Sequence, residues 1–430
     1  MTNISQSSSS GGNISVSLRC LGCGASFDAK RMKNACPSCG EALEYVFDGQ
    51  YDGSHLERDD LWRFADLIPL RDRSNIISLG VGNSRIIELA EMSDRLRGVR
   101  LYLKLDSHKN PTGTFKDRES SVIISKCREE GLDNLVFYST ANTGRSYTHF
   151  AANLNLTTYF FMPVECQYKN TRFIQKNRNN FVILVEADYP NIGPYAKAFA
   201  KANNLNSIAP MQDRTESYAT IAYEQFQQMP QCDFFVQTIA SGMGPIGFLR
   251  GHKNLVKFGI EREEDVPCIV CVQSEETNAM YKSYISGRSA MTRDDLPKSF
   301  PSNLFEPTLN STNPINNYPS LYQCLKESNG IITDVNPRYV MREAQPLIDA
   351  LERRKITMRF ELEKSLLIGY AGIVRLIEEG KIGGNSRVLL LATGRGQDTS
   401  NEIIAPDITI DPSTHDPVEL KRQLDALLAA

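Results

Sequence analysis

Residues 110–118 (NPTGTFKDR) place a lysine, Lys116, directly after a Pro–Gly turn and at the start of a helical pattern. The apolar run at 101–105 predicts a strand, so the turn would hold Lys116 at the rim of a sheet, where α/β proteins bind ligands. A lysine in such a cleft can lose its proton and form a Schiff base. A lysine at a helix start is by itself usually a solvated side chain, so the prediction depends on the flanking strand and turn.

Three other loops follow apolar strands and carry small or hydroxyl residues. Residues 139–144 (STANTG) precede a helix, whose first N–H groups can bind an anion. Residues 241–247 (SGMGPIG) contain glycines that let the backbone approach a phosphate closely. Residues 391–398 (LATGRGQD) end a strand in a glycine-rich turn that places Thr393 at the sheet edge. Taken singly, each loop could also be an ordinary capping or strand-ending turn.

The second of these loops also satisfies, at residues 242–247, the G-x-G-x-x-G pattern of dinucleotide folds. Glu261 follows at about the 20-residue spacing that this pattern requires. However, Glu261 lies in a charged stretch before the next strand, and Pro245 interrupts the expected helix start. A nicotinamide oxidoreductase is therefore a disfavoured alternative.

Four of the ten cysteines predict a metal site near the N-terminus: Cys20, Cys23, Cys36 and Cys39. They form two C-x2-C pairs separated by twelve residues, and Gly24 and Gly40 follow the pairs. Each such pair can present two thiolates to a tetrahedral zinc ion, and a glycine permits the tight turn. The alternative is a ribbon that has lost its metal. Cys268 and Cys271 have the same spacing but lie in an apolar run, which favours a buried strand.

Composition favours a soluble globular protein of about two or three domains. Across 430 residues, 48 basic and 51 acidic side chains leave a net charge of −3, which provides no field for nucleic acid or an anionic membrane. No apolar stretch approaches the ~20 residues of a membrane span. Residues 1–12 (MTNISQSSSSGG) lack the features of a secretory signal, so we expect a disordered tail and a cytoplasmic protein with reduced thiols.

The alternation of strand and helix patterns predicts α/β layers with largely parallel sheets. A helix is expected at 116–130, and another begins after Asp416, with an apolar stripe formed by Leu420, Leu424, Leu427 and Leu428. The predicted strands are 101–105, 135–138, 159–162, 182–185, 234–239, 268–273 and 388–392.

Together, these segments resemble the fold-type II pyridoxal-phosphate enzymes, and most closely the threonine synthase family. The resemblance extends from Trp62 to about Asp398, and some family members also carry an N-terminal zinc ribbon. It implies an α/β architecture like that of the tryptophan synthase β chain, with the cofactor between two domains. The expected units are a tail (1–17), a zinc ribbon (18–50), a large cofactor domain (51–134 and 211–430) and a small domain (135–210).

The resemblance also implies roles for individual residues. In the family, the lysine that matches Lys116 holds the cofactor, and once released it is the natural base for the substrate α-proton. Asn142 would contact the ring hydroxyl, and Thr393 would contact the pyridine nitrogen. The cofactor phosphate would bind Gly242, Met243, Gly244, Pro245, Ile246 and Gly247. The substrate carboxylate would bind Ser139, Thr140, Ala141, Thr143 and Gly144. Residues 214–225 (RTESYATIAYEQ) are similar to a segment that lies between the two domains in the family.

Departures from the family pattern bear on the substrate. Arg85 replaces the proline of a usual Gly-Asn-Thr-Pro-Leu segment, Arg145 stands where a small residue is common, and Glu119 occupies a position that is usually glycine. If Arg85 and Arg145 face the site, they would bind a second or unusual anion; the alternative is that both point to solvent. The first prediction is therefore the cysteate synthase reaction, in which sulfite replaces the phosphate of O-phosphoserine.

Two alternatives remain open at this stage. One is threonine synthase, which converts O-phosphohomoserine and water to threonine. The other is a non-catalytic relative that binds a metabolite or a partner. The expected ligands are a small phosphorylated amino acid, pyridoxal phosphate and a structural zinc ion, and the family often forms homodimers.

Overall fold

The structure is a computed structural model that describes residues 14–53, 55–140, 142–169, 178–187, 189–207, 211–296, 303–310, 314–356, 362–396 and 403–429. In chain order, its strands are β1 Ser15–Cys20, β2 Ser26–Asp28, β3 Leu43–Asp48, β4 Ile86–Glu88, β5 Arg100–Lys104, β6 Asn134–Tyr138, β7 Thr157–Pro163, β8 Asn180–Val185, β9 Phe234–Thr238, β10 Cys268–Ser274, β11 Ile331–Val335, β12 Arg387–Leu391 and β13 Ile408–Ile410. Its α-helices are α1 Asp106–Lys109, α2 Lys116–Glu129, α3 Asn142–Ala151, α4 Tyr189–Ala202, α5 Met211–Gln228, α6 Met243–Lys257, α7 Ala279–Ile285, α8 Tyr318–Glu327, α9 Pro337–Arg353, α10 Lys364–Glu378 and α11 Pro417–Ala429.

A six-stranded sheet organises the larger unit, in the order β11-β10-β9-β12-β5-β4. All neighbours are parallel except β4, which runs antiparallel to β5. Apolar clusters cover both faces of this sheet, one containing α9 and α10 and the other α6 and α8. Strands buried on both faces require continuous apolar runs, which is why β9, β10 and β12 could be predicted from the sequence. The predicted α/β class is confirmed.

A four-stranded parallel sheet, in the order β13-β8-β7-β6, organises the smaller unit. Its edge strand β13 comes from the C-terminal segment, and Leu420 and Leu424 of α11 are buried with α4 on the same sheet. The predicted boundary, which assigned 211–430 to the large domain, is therefore corrected for this segment. A three-residue strand carries too short an apolar pattern to be recognised in the sequence. Leu427, expected in the apolar stripe, is exposed.

The N-terminal strands form a separate antiparallel sheet, β2-β1-β3, that packs against the larger unit. Its first strand begins at Ser15, three residues before the predicted boundary. Tyr45 is fully buried at the contact, where its hydroxyl donates to Asp213 of α5 at 2.8 Å and accepts from Lys126 of α2. The ribbon is thus bonded to two helices that also carry residues of the candidate site. Among the described residues, no helix is long and apolar enough to cross a membrane.

Candidate active site

Lys116 is the first residue of α2 and follows a loop that is bonded to the end of β12. The carbonyl oxygen of Thr393 accepts from Phe115 N at 2.8 Å and from Thr114 Oγ1 at 3.1 Å. Asn110 Nδ2 donates to Thr114 O at 3.0 Å and closes the turn. These bonds place Lys116 at the carboxyl end of the large sheet, as its sequence context predicted.

The side chain of Lys116 is mostly buried, with a small exposed part. The exposed fraction is 15%, and Nζ donates to Tyr218 Oη at 2.9 Å and lies 3.7 Å from Glu119 Oε2. Nζ also lies over the rings of Phe115 and Tyr218. Burial lowers the pKa of Lys116 to about 8, although Glu119 favours its charged form. A substantial fraction of this lysine is therefore neutral near physiological pH, as a nucleophile or base requires.

Glu119 joins Lys116 to two other helices. Tyr218 of α5 donates to its Oε2, Tyr147 of α3 donates to its Oε1 at 2.7 Å, and Arg214 Nε of α5 lies 2.8 Å from Oε1. We call Lys116, Glu119, Tyr147, Arg214 and Tyr218 the lysine network. Burial opposes ionisation of Glu119, but the charges of Arg214 and Lys116 outweigh it, so its pKa lies below the ordinary value. Burial and Glu119 raise the pKa of Tyr218 well above its ordinary value, so Tyr218 stays a neutral donor.

Asn142 and Thr393 are connected by a chain of hydrogen bonds through Glu363, which precedes α10. Asn142 Nδ2 donates to Glu363 Oε1 at 3.0 Å, and Ser365 Oγ donates to Glu363 Oε2 at 2.6 Å. Ser365 Oγ and Thr393 Oγ1 are 3.2 Å apart. The structure thus brings together Lys116, Asn142 and Thr393, and it adds Glu363 and Ser365, which sequence reasoning missed.

The glycine loop forms the N-terminus of the fifteen-residue helix α6. Gly242 has φ +76°, a left-handed conformation that an L side chain rarely adopts, and it caps the helix. Pro245 lies in the first turn, where its missing N–H costs nothing. A Cβ on Gly247 would come within 2.5 Å of Tyr218 Cβ, so this loop packs directly against the lysine network. Met243 is buried, Gly244 packs on Gln237, and Ile246 is half-buried.

Glu261, the residue that a dinucleotide fold would require, has another partner. It lies 2.6 Å from the buried His252 ring on α6. This pairing supports the rejection of the nicotinamide alternative, whereas the argument that Pro245 interrupts the helix start was wrong.

The loop between β6 and α3 is partly buried. Ser139 N donates to Phe161 O at 3.1 Å, and Thr140 Oγ1 donates to Thr308 O at 3.3 Å. A Cβ on Gly144 would overlap the ring of Phe160, so this glycine is needed for helix–sheet packing. Thr143 is half-buried. Ala141 lies outside the described residues.

The two arginines that favoured a second anion differ in burial and in their contacts. Arg145 is buried, and its Nη2 donates to Thr112 O at 2.8 Å, in the loop before Lys116. Its charge also stabilises the ionised form of the nearby Asp117, against the burial that raises the pKa of that carboxyl. Arg85 is exposed, and its carbonyl oxygen accepts from Leu105 N. Arg145 thus contacts the lysine loop and Arg85 is exposed, and the predicted role of both in binding a substrate anion stays a prediction.

A second charged network lies on the interior side of α2. Arg118 is fully buried and binds Asp106 through Nε and Nη2 at 2.7 and 2.8 Å, and Glu224 through Nη1 and Nη2 at 2.6 and 2.7 Å. Lys104 Nζ lies 2.7 Å from Glu224 Oε2. We call Lys104, Asp106, Arg118 and Glu224 the arginine network. It connects α2 with β5 and α5.

The four N-terminal cysteines form a cluster that could hold a metal ion. Their sulfur atoms all lie within 4.8 Å of one another. The Sγ atoms of Cys20 and Cys39 are 3.4 Å apart, and those of Cys23 and Cys36 are 3.8 Å apart. A tetrahedral set of thiolates at the usual zinc–sulfur distance has edges of about 3.8 Å.

The residues of the candidate site fit the pyridoxal phosphate that the sequence resemblance implies. Oδ1 of Asn142 is buried without a hydrogen-bond partner in the described part of the chain, so it can accept from a ligand. The first N–H groups of α6 have no acceptor within the helix. They can therefore donate to a phosphate bound at the helix N-terminus. Together with the accessible amine of Lys116, these groups suit a ring hydroxyl, a phosphate and an aldehyde.

Comparisons with known proteins agree with this fit. The threonine synthase of Methanocaldococcus jannaschii is 24% identical over 422 residues, which cover 95% of this chain and 98% of that protein. The cysteate synthase of Methanococcoides burtonii is 21% identical over 418 residues, covering 89% and 94%. Maize serine racemase has the same fold, with a TM-score of 0.58 at 14% identity over 74% of this chain and 91% of that structure.

The family model of the pyridoxal-phosphate dependent enzymes matches residues 77–394. That range includes Lys116, Asn142, the glycine loop and Thr393, and it begins after the ribbon. The chain therefore belongs to the pyridoxal-phosphate dependent enzyme family and is an enzyme of the lyase type.

Proposed function

We propose that this enzyme replaces the phosphate of an O-phosphorylated amino acid with a nucleophile. The observation that carries the proposal is Lys116, whose side chain is 15% exposed and whose amine has a lowered pKa and bonds to Tyr218. Tyr218 in turn packs against Gly247 in the first turns of α6, whose N–H groups would bind a phosphate. The relatives named threonine synthase and cysteate synthase, which span most of this chain, support the same reaction class.

Different residues would hold the cofactor, bind the substrate carboxylate and remove the substrate proton. Lys116, Asn142, Thr393 and residues 242–247 would hold the cofactor, and residues 139–144 would bind the substrate carboxylate through the N-terminus of α3. When bound, pyridoxal phosphate supplies an electron sink for the carbon next to the substrate amine. Lys116 then takes the proton from that carbon, because its lowered pKa makes the neutral amine far more populated than in an ordinary lysine.

For the substrate, we propose O-phosphohomoserine with water as the first candidate. The cysteate synthase reaction depended on Arg85 and Arg145 facing a second anion, and neither placement supports that argument. Two relatives named threonine synthase cover 95% and 96% of this chain. The cysteate synthase reaction is the second candidate, because relatives with that name cover 88–89% of the chain.

A substrate panel tests the proposal. O-phosphohomoserine and O-phosphoserine would each be incubated with water, sulfide or sulfite, and phosphate and amino-acid products would be measured. O-acetylserine serves as a control for the leaving group, and the Lys116→Ala variant serves as a control for contaminating phosphatase. Threonine from O-phosphohomoserine supports the first candidate, whereas cysteate from O-phosphoserine and sulfite replaces it with the second. Phosphate release from neither substrate overturns the proposed function and favours a non-catalytic binding protein.

The cysteine cluster is the basis for a further part of the proposal. We infer that Cys20, Cys23, Cys36 and Cys39 bind one structural zinc ion, because four thiolates at these separations match its preferred geometry. Elemental analysis should find about one zinc per chain in the wild type and much less in a Cys36→Ser, Cys39→Ser variant. A homodimer stays a prediction, which light scattering of the purified protein tests.

A further inference from the structure

Glu119 is unusual among the buried carboxylates of the described residues because it contacts a partly exposed amine. Its side chain is 1% exposed and lies one helical turn after Lys116 on α2. A buried charge requires compensation, which Arg214 and two tyrosine hydroxyls provide. That compensation alone would stabilise Glu119 without any contact to Lys116.

The geometry nevertheless includes Lys116. Tyr218 Oη accepts from Lys116 Nζ at 2.9 Å and donates its own proton to Glu119. The hydroxyl therefore bridges the amine and the carboxylate, and Glu119 Oε2 is itself 3.7 Å from Nζ. Tyr218 is held in place because its ring packs 4.9 Å from that of Phe115 and its Cβ abuts Gly247.

We propose that Glu119, acting through Tyr218, is a positioning residue that holds the amine of Lys116 in the cleft whenever that amine is not bonded to the cofactor. We extend the role to the proton that Lys116 takes from the substrate, and this extension depends on the proposed function. Tyr218 touches the reacting nitrogen and is the catalytic partner in this arrangement.

The proton balance of the step is simple. The neutral amine of Lys116 accepts the α-proton and becomes an ammonium ion, while the carbon–hydrogen electron pair stays with the substrate and cofactor. Glu119 remains a carboxylate and Tyr218 remains protonated, so neither consumes the proton. Their contribution is to stabilise the ammonium ion at a fixed position until it returns the proton to the reacting molecule.

The charges that face Lys116 determine the sign of the expected effect. Glu119 on its own helix favours the ammonium form, whereas Arg214 on α5 disfavours it, and Tyr218 and Tyr147 are neutral. Replacing Glu119 by glutamine removes the favourable charge and leaves Arg214 uncompensated at this position. Both changes shift the protonation of Lys116 toward lower pH.

The test measures the reactivity of Lys116 in the full-length protein from which the cofactor has been removed. Reductive methylation with formaldehyde, quantified for Lys116 by mass spectrometry, gives the midpoint of amine deprotonation between about pH 6 and 10. Glu119→Gln should lower this midpoint by about one pH unit or more, as loss of an opposite charge within about 4 Å does. Glu129→Gln, at the opposite end of the same helix, where Glu129 pairs with Arg71, is the matched control and should not move the midpoint.

Tyr218→Phe provides a second variant that keeps the ion pair of Glu119 with Arg214. It should lower the midpoint by less than Glu119→Gln and slow reloading with pyridoxal phosphate at least threefold, because the amine is no longer held. A midpoint within about 0.3 pH unit of the wild type in Glu119→Gln overturns the proposal, even if that variant is less stable. If Glu119→Gln does not fold, an unchanged midpoint and reloading rate in Tyr218→Phe overturn it instead.

The extension to catalysis has a separate readout. In the proposed reaction, the acidic limb of the kcat profile should move to lower pH in Glu119→Gln, and kcat should fall while KM changes little. If no phosphorylated amino acid is converted, the proposed function fails, but the methylation experiment still decides whether Glu119 holds Lys116.

Discussion

The lysine network and the arginine network both include residues of α2, but they differ in how far their charged side chains are buried. In the arginine network, all four charged side chains are fully buried, and two cations face two anions. In the lysine network, Lys116 and Arg214 remain 15% and 18% exposed, and both cations face Glu119. Arg118 lies only two residues after Lys116 on α2, yet Arg118 is inaccessible to water whereas a ligand can reach Lys116.

The difference separates charges that hold the fold from charges that can react. Asp106 and Glu224 outweigh the burial of Arg118 and raise its pKa, and Arg118 and Lys104 in turn lower the pKa of Glu224 to about 2 despite its burial. Arg118 and Glu224 are therefore held in their charged forms, whereas burial lowers the pKa of Lys104 despite its contact with Glu224. Lys116 contrasts with Arg118 and Glu224, because burial dominates and its pKa falls to about 8, and it differs from the fully buried Lys104 because its side chain is 15% exposed. Incomplete compensation is what makes a buried amine available for chemistry.

The largest expected effect comes from removing the reactive amine. Lys116→Ala should reduce turnover by about a thousandfold or more and abolish the visible absorbance of bound cofactor, because both the covalent attachment and the base are lost. Turnover is measured with the substrate that the panel identifies. The free energy of unfolding of the cofactor-free variant, measured in urea, should remain within about 1 kcal/mol of the wild type. The substitution removes a charge whose burial is itself unfavourable, which offsets the lost contacts. A large loss of stability would place Lys116 with the structural charges.

The next effect is on stability. Arg118→Met should reduce the free energy of unfolding by about 3–5 kcal/mol, because Asp106 and Glu224 would be left buried without their main counter-charge. Arg262→Met is the matched control, since Arg262 pairs with Asp265 at the surface, and a change below about 1 kcal/mol is expected there. Equal effects of the two variants in urea unfolding would remove the distinction between the networks.

Arg145 tests whether a third buried cation belongs with the structural charges. Arg145→Met should lower the free energy of unfolding by about 1.5–3 kcal/mol, because the charged donor to Thr112 O is lost. It should lower kcat by displacing the loop before Lys116, with KM for the phosphorylated substrate changed less than about threefold. A selective rise in KM with unchanged stability would return Arg145 to the substrate site, where sequence reasoning placed it.

The smallest effect is the pH dependence of stability. The pKa of Lys116 is about 8 in the folded protein and lower than its ordinary value, so the unfolded chain binds more protons between pH 8 and 10.5. Stability of the cofactor-free protein should therefore rise through this range by about 1–2 kcal/mol, allowing for the partial exposure of Lys116. The measurement compares urea unfolding of the wild type and Lys116→Met at pH 8 and 10. An equal rise in both proteins would show that Lys116 is not the group responsible.

Local sequence patterns explain which residues of the candidate site could be predicted. Lys116, the glycine loop and Thr393 follow apolar strands directly, and parallel strands bring their carboxyl ends to one edge, so spacing along the chain carried the information. Glu363 and Ser365 lie far from Lys116 in sequence and have no strand or glycine signal beside them. Tyr218 lay within residues 214–225, which resemble an interdomain segment of the family, but the contacts of its hydroxyl could only be assigned from the fold.

The direction of a side chain was the least accessible property. Arg145 is on the same short loop and helix start as Asn142, yet the rotation of α3 turns its guanidinium toward Thr112. A net charge near zero likewise contained no information about how Arg118 is enclosed or how Lys116 is left open.

The edge strand β13 has a consequence for the order in which this protein can form during synthesis. The small sheet is built early in the chain, but β8 lacks its outer neighbour until Ile408–Ile410 has left the ribosome. Until then, the backbone edge of β8 and the apolar face that α11 later covers remain open to other strands or to chaperones. Residues 408–429 thus complete the small sheet, and a nascent chain that stops before them would be expected to aggregate although it contains every residue of the candidate active site.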